Sequence, residues 1–298
     1  MGAPRTEPRL IDANGLKICT QTFGAPEKPA VVLIMGLGAQ MIAWDDAFCG
    51  ALADKGFHVI RFDNRDIGKS TRLEHAGVPN VLALMGQAAL GKSLDVPYTL
   101  TDMATDTVGV LDALNIRAAH IVGASMGGGI AQEFVMHFAP RALTMTSIMS
   151  STGDPKVPPP TPEALAILLS PAPLERDAYI AHNVKVQRVL RGPRIVEEEA
   201  GDEARATRSF ERGINPPGVA RQLAAIFASG DRTAALKRVA TPTLVIHGDA
   251  DPLVRVEGGR ATAAAIPGAR LVIMPGMGHA LPRVFWPRMI DAIAAHAN

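Results

Sequence analysis

Cysteine is scarce in this chain of 298 residues: Cys19 and Cys49 are the only two, with neither a C-x-x-C spacing nor a companion histidine pattern. That leaves no basis for a disulfide framework or a zinc site, and it fits a reducing compartment. Excess charge of one sign is also missing, since 30 Lys and Arg against 29 Asp and Glu leave +1. The electrostatic footprint of a nucleic-acid binder is therefore absent, and no nucleic-acid partner is expected. Long apolar runs are lacking too. The most apolar stretch, Ala30 to Trp44, is broken by Gly36, Gly38 and Gln40, well short of the roughly 20 apolar residues that span a bilayer. Met1 to Leu10 holds Pro4, Glu7 and Pro8 and no apolar segment of the kind a secretory leader needs. A soluble cytoplasmic chain without stable membrane insertion is expected, its oligomeric state left open.

What is present is ample core material, 47% hydrophobic residues in a length that α/β folds commonly use as one domain. Leu16 to Phe23 alternates like a strand, and Ala30 to Met35 is a continuous apolar run of the kind buried on both faces of a parallel sheet. Helical spacing over Asp45 to Lys55 and a β-rich run from Phe57 to Phe62 complete a β-α-β unit. Thr101 is the expected N-cap of a helix ending at Leu114. A strand through Ile121 and Val122, a helix from Met126 to Phe138 and a strand from Leu143 to Met149 continue the alternation.

The pattern stops at Asp154-Pro155, and Pro158-Pro159-Pro160 rules out a central strand there. Residues 155–235 read as helices separated by Gly and Pro, without a strand. Alternation resumes with Thr243 to His247, a helix from Val256 to Ile266, a strand from Arg270 to Met274 and a last helix ending near His296. The expectation is a mostly parallel sheet flanked by helices, with a core of residues 1–154 and 236–298 and a helical cap insertion at 155–235. The irregular stretch Thr71 to Leu100 carries Leu82, Leu84, Met85, Leu90 and Leu94, which suggests a second apolar wall to a pocket.

The chemistry centres on Gly123-Ala124-Ser125-Met126-Gly127, which follows an apolar run and opens a helical pattern. A serine hydroxyl becomes a nucleophile when it is held on a sharp strand-to-helix turn beside a base. The strand Thr243 to His247 ends in Gly248-Asp249-Ala250-Asp251-Pro252, which puts a carboxylate at the edge where open α/β sheets build their sites. The next strand runs into Pro275-Gly276-Met277-Gly278-His279. Ser125 as nucleophile, Asp251 as orienting acid and His279 as base follow one another in the chain order of the α/β-hydrolase arrangement. Oxyanion donors are expected from the backbone N–H groups of Met126 and of Leu37, in the loop Met35-Gly36-Leu37-Gly38.

These motifs, with Val32 to Gly38 and Ile60-Arg61-Phe62-Asp63-Asn64-Arg65-Asp66-Ile67-Gly68-Lys69-Ser70, resemble the α/β-hydrolase superfamily from about Leu16 to the last helix. Within it, the chain is similar to bacterial carboxylesterases of the aclacinomycin-methylesterase-like group. Met-Gly stands where many members have His-Gly at the oxyanion loop. The resemblance implies the α/β-hydrolase fold and a serine esterase, free of cofactor and metal, that forms an acyl-enzyme from a small or medium lipophilic ester. Carbon-carbon bond hydrolases, cofactor-free perhydrolases and acyltransferases use the same triad. The resemblance does not extend to the substrate, because Thr71 to Leu100 and the cap line the pocket and differ among relatives.

Other readings stay beside these. Asp249 and Asp154 compete with Asp251 for the acid role. His247, His120 and His137 fall inside expected strands or helices and read as core or surface histidines. Asp63-Asn64-Arg65-Asp66 reads as a structural turn with a salt-bridged Arg. The glycines from Gly123 to Gly129 lack the Lys-Ser/Thr of a phosphate-binding loop. Met35, Met41, Met85, Met126 and Met277 are either ordinary gap-fillers or the lining of an adaptable acyl pocket.

Overall fold

The apolar runs become the interior of one eight-stranded sheet in a computed structural model that describes residues 4–192, 195 and 199–298. The first six strands and the helices among them are β1 (Arg9–Ala13), β2 (Leu16–Phe23), β3 (Ala30–Ile34), α1 (Asp46–Asp54), β4 (His58–Phe62), α2 (Val81–Ala89), α3 (Leu100–Ala113), β5 (Ala119–Ala124), α4 (Met126–His137) and β6 (Ala142–Ile148). Helices α5 (Pro162–Leu169), α6 (Arg176–Leu190), α7 (Glu199–Arg212), α8 (Pro216–Ser229) and α9 (Thr233–Leu236) intervene before β7 (Thr243–Gly248), α10 (Val256–Ala265), β8 (Arg270–Met274) and α11 (Trp286–Ala297). The strand order is β1-β2-β4-β3-β5-β6-β7-β8. Among the described strands, β1–β2 and β2–β4 pair antiparallel and the other five neighbouring pairs are parallel.

Every residue of β3, β5 and β7 is buried, as strands covered on both faces must be; β3 is apolar throughout, while β5 and β7 also bury His120, Thr243 and His247. Phe48 and Leu52 of α1 pack with Met289 and Ile293 of α11 on one face. Met103 and Leu111 of α3 pack with Ile130 and Phe134 of α4 on the other. Parallel strands so covered put all their C-terminal ends, and the loops that follow, along one edge.

Three local expectations are corrected. The N-cap of α3 is Thr99, not Thr101: Thr99 and Asp102 form a reciprocal capping box. The Thr101 hydroxyl instead donates to Glu133 Oε2 at 3.0 Å. Residues 81–89 of the supposed irregular stretch form α2, whose N-cap Asn80 accepts from the Ala83 N–H. Leu82 and Leu90 face outward, 66% and 73% exposed, so they build no pocket wall. β1 is a strand beyond those expected. It is joined to β2 through Asn14 and Gly15, both at positive φ, a pairing that suits a two-residue hairpin turn.

His120 on β5 is buried, with Nδ1 2.9 Å from the Thr144 hydroxyl on β6. Burial, and secondarily the nearby His296, push its pKa from 6.5 down to about 4. The folded state thus resists protonation that the unfolded chain accepts. Stability from this residue is complete above about pH 6.5, falls as pH drops toward 4, and amounts to no more than about 3 kcal/mol. Urea unfolding of the wild type between pH 4 and 7 is expected to reveal this loss, and His120→Asn to flatten it. An unchanged slope in the variant would place the acid sensitivity elsewhere.

Candidate active site

Ser125 lies between the last residue of β5 and the first of α4, at φ 56 and ψ −121. A non-glycine residue in that region is strained, and the surrounding structure must hold it there. It is held from both sides. A Cβ on Gly123 would stand 2.0 Å from the Gly127 carbonyl oxygen, and one on Gly127 would stand 2.2 Å from that of Ile34. Only glycine fits either position, which is the steric content of the G-x-S-x-G spacing. The Ser125 N–H donates to the Ile148 carbonyl at 2.9 Å, tying the turn to β6.

Asp251 follows β7 and is buried, 1% exposed. Its Oδ1 accepts from the N–H groups of Leu253 and Val254 at 2.9 and 2.8 Å. Its Oδ2 lies 2.7 Å from His279 Nδ1. Burial alone would raise the carboxyl, but His279 and then His247 beside it outweigh burial and hold it down at about 2. The acid is therefore ionised at neutral pH.

His279 follows β8 in a loop fastened to the end of α6. The Gly278 N–H donates to the Arg191 carbonyl at 3.0 Å and the His279 N–H to that of Leu190 at 2.6 Å. With Nδ1 against Asp251, Nε2 faces Ser125 Oγ at 2.8 Å. The consistent tautomer has Nδ1–H donating to the carboxylate and Nε2 accepting from the serine hydroxyl. Three residues from three strand ends thus form one hydrogen-bonded line that can draw a proton from serine as it attacks a carbonyl.

The competing acids sit differently. Asp249 is exposed and its Oδ1 accepts from the Gly276 N–H at 2.6 Å, while Asp154 accepts from the Lys156 N–H at 2.9 Å. Each braces a turn. His247 is a core histidine as expected, fully buried, but it also supports the acid loop. Its Nε2 donates to the Val254 carbonyl at 2.8 Å and lies 3.5 Å from Asp251 Oδ2. His137 pairs with Glu133 at 3.3 Å on a half-exposed helix face. Both cysteines are buried and free, and burial pushes the Cys49 thiol up to about 12 and raises that of Cys19. Neither offers a thiolate near neutral pH. Among the described residues, no group of three or more His, Cys, Asp and Glu is arranged to hold an ion.

The loop after β3 passes directly over the serine: a Cβ on Gly36 would come within 3.0 Å of Ser125 Cβ. Leu37 follows at once, and Met126 is the first residue of α4, so the two backbone segments named as oxyanion donors flank Ser125. Asn64 Nδ2 donates to the Met35 carbonyl at 2.9 Å at the base of this loop.

The turn at 63–66 is structural, and each residue reaches a different element. Asp63 accepts from the Met41 N–H at 2.7 Å and from Arg212 of α7 at 2.5 Å. Arg65 forms a two-point ion pair with Asp106 of α3, both contacts 2.6 Å. Asp66 does the same with Arg221 of α8, at 2.8 and 2.6 Å, and also accepts from the Tyr98 hydroxyl at 2.8 Å. Arg212, Arg221 and Gln222 were not foreseen as part of the site's support, since no local motif marks them.

Ser125, His279 and the Gly36–Gly38 loop share a cavity of about 700 Å³ whose lining also draws on α5, α6, α7 and α8, between β6 and β7. Ile167, Val186, Leu190, Leu223, Ile226 and Phe227 supply much of its apolar lining. Of the five methionines considered, Met35 and Met126 line it; Met41 and Met277 are packed in the core, and Met85 lies on α2. Within Thr71 to Leu100, Val81 and Leu100 reach the cavity rather than the residues expected to form its wall.

Comparison with known proteins places this geometry in context. A family model described as the alpha/beta hydrolase fold matches residues 29–282. A rhodomycin D methylesterase of Streptomyces sp. strain C5 is 30% identical over 97% of this chain and 98% of its own length. A second, from Streptomyces peucetius, is 29% identical with the same coverage. Among solved structures, a hydrolase from Pseudomonas aeruginosa superposes with a TM-score of 0.71 at 25% identity, covering 97% of this chain and 98% of that one. No helix among the described residues is long and apolar enough to cross a membrane.

Proposed function

The chain belongs to the alpha/beta hydrolase fold family, and from that premise we propose that it is a serine carboxylesterase acting on small to medium lipophilic esters through an acyl-enzyme. The observation that carries this reading is the unbroken line from Asp251 through His279 to Ser125, at 2.7 and 2.8 Å. Ser125 attacks the ester carbonyl, and His279 takes its proton at Nε2 and returns it to the departing alkoxide. Asp251 fixes the imidazole and stabilises its charged form. The Leu37 and Met126 N–H groups receive the developing oxyanion. Water activated by the same imidazole then releases the acid, so the cycle needs no cofactor or metal. Residues 155–235 act as a cap that encloses the lipophilic part of the ester. The near-neutral charge and two buried free cysteines suit a cytoplasmic enzyme with a small-molecule partner. The two Streptomyces relatives, named as methylesterases, support ester chemistry over its alternatives.

Hydrolysis of p-nitrophenyl esters from acetate to palmitate tests this. An optimum at short to medium acyl length is expected, because a bounded cavity of about 700 Å³ must hold both acyl and leaving groups. No turnover across the series, or activity confined to emulsified long-chain lipid, would contradict it.

A further inference from the structure

The loop that carries Leu37 is not held by the sheet alone. The Gly38 N–H, one residue after Leu37, donates at 2.9 Å to Oε1 of Gln222, which lies on α8, 184 positions away. Gln222 is fully buried, and its Nε2 donates at 3.0 Å to the Arg65 carbonyl in the 63–66 turn. Its side chain therefore spans α8, the oxyanion loop and the core turn with both ends occupied. Val219, one turn earlier on α8, abuts Gly38, its methyl 3.1 Å from where a Cβ would stand.

The far end of the loop is held from the same side. Gln40 Nε2 donates to the Ser209 and Gly213 carbonyls at 2.8 and 3.1 Å, and Arg212 Nε donates to Gln40 Oε1 at 2.7 Å. The buried pair Arg221–Asp66 fixes α8 itself. Loop residues 38–40 thus take their side-chain hydrogen bonds from α7, α8 and the segment between them. An oxyanion donor contributes only when it points at the developing charge from about 2.7–3.1 Å, so a small rotation of the Leu37 peptide is costly.

We infer that Gln222 is a positioning residue for catalysis, aiming the Leu37 N–H by gripping the next peptide, so that the helices over the site complete the oxyanion hole as well as enclosing substrate. This rests on the reading of Leu37 as an oxyanion donor. Gln222 touches neither Ser125 nor His279, and its effect passes through the Gly38 peptide. Its removal should therefore weaken binding of the tetrahedral state and leave ground-state binding intact.

The test compares wild type with Gln222→Met, which keeps the length and loses both hydrogen bonds, and with Gln222→Glu, which keeps an acceptor for the Gly38 N–H. Readouts are kcat and KM on the best p-nitrophenyl ester, inhibition by a trifluoromethyl ketone that forms a tetrahedral adduct, and thermal unfolding. In the Met variant kcat should fall about ten- to one-hundred-fold, below the roughly 10²–10³ for deleting a donor outright. KM should stay within about threefold, and trifluoromethyl ketone affinity should fall by the same factor as kcat/KM. The Glu variant should lose less, and it decides the question alone if the Met variant does not fold. A folded variant with wild-type kcat, a loss confined to KM, or a lower kcat with unchanged ketone affinity overturns the inference. Failure of the esterase reading itself looks different, because the wild type would then hydrolyse no ester, and the inference would fall with it.

Discussion

Ser125→Ala is expected to abolish ester hydrolysis, lowering kcat on the order of 10⁴- to 10⁶-fold while the protein unfolds at nearly the wild-type temperature. The reason is local. Removing Oγ deletes the atom that His279 Nε2 contacts at 2.8 Å and leaves the glycine-enforced turn in place. Alanine must occupy the same positive φ, so the strain of the turn is common to both proteins. What remains is the slow attack of water in a site that still holds its base and oxyanion donors. Turnover assays alongside thermal unfolding check this, and a folded Ser125→Ala protein with more than a few per cent of wild-type activity would remove the serine from the mechanism.

Asp251→Asn should cost about 10³- to 10⁴-fold in kcat, with KM little changed. The Asn oxygen can still accept from the Leu253 and Val254 N–H groups, so the loop keeps its shape. Its amide nitrogen then faces His279 Nδ1 as a donor, and the imidazole must carry its proton on Nε2, where it can no longer accept from Ser125. The negative charge that stabilises the imidazolium is lost as well. The neighbouring substitutions discriminate: Asp249→Asn keeps an acceptor for the Gly276 N–H, and Asp154→Asn one for the Lys156 N–H. Both should retain activity within about twofold, as surface changes of this kind usually do. A steady-state comparison of the three variants decides among the acids, and a large loss in Asp249→Asn with little in Asp251→Asn would transfer the role.

The parallel sheet was legible because its strands leave unmistakable sequence signals: an apolar run such as Ala30 to Ile34 can only be buried on both faces. The chemistry-bearing loops were legible for a related reason. Each follows a recognisable strand, and glycine at 123 and 127 is imposed by backbone contacts under 2.5 Å that any side chain would violate. The Asn14-Gly15 turn is a hairpin signal of the same kind, but the strand it leads back to, β1, has three of its five residues exposed and so leaves no apolar run in the sequence. For α2 the leucines themselves misled. Leu82 and Leu90 suggested a buried wall, whereas they face outward and Leu84 alone of that group is buried.

Support around the site was illegible for a different reason. Gln222 and Gly38 are 184 positions apart, and Arg221 and Asp66 are 155 apart. Nothing in the local composition of α8 distinguishes a glutamine that will fill a buried polar gap from one that will face water. Such pairings become visible only when the fold brings the elements together. They are also where this chain departs from a bare catalytic scaffold, since Asp63 and Asp66 each bind an arginine from the helices over the site. Breaking one partner of a pair as buried as Arg221–Asp66 leaves an uncompensated charge, typically at a cost of about 3–5 kcal/mol. These contacts therefore seat the helices firmly over the cavity.

Covalent labelling tests the central claim most directly: incubate the folded protein with a fluorophosphonate, digest it, and locate the adduct by mass spectrometry. The account predicts one adduct per chain, carried by Ser125 and lost when the protein is unfolded in urea before labelling. No adduct on folded, intact protein, or an adduct on a different residue, would contradict it.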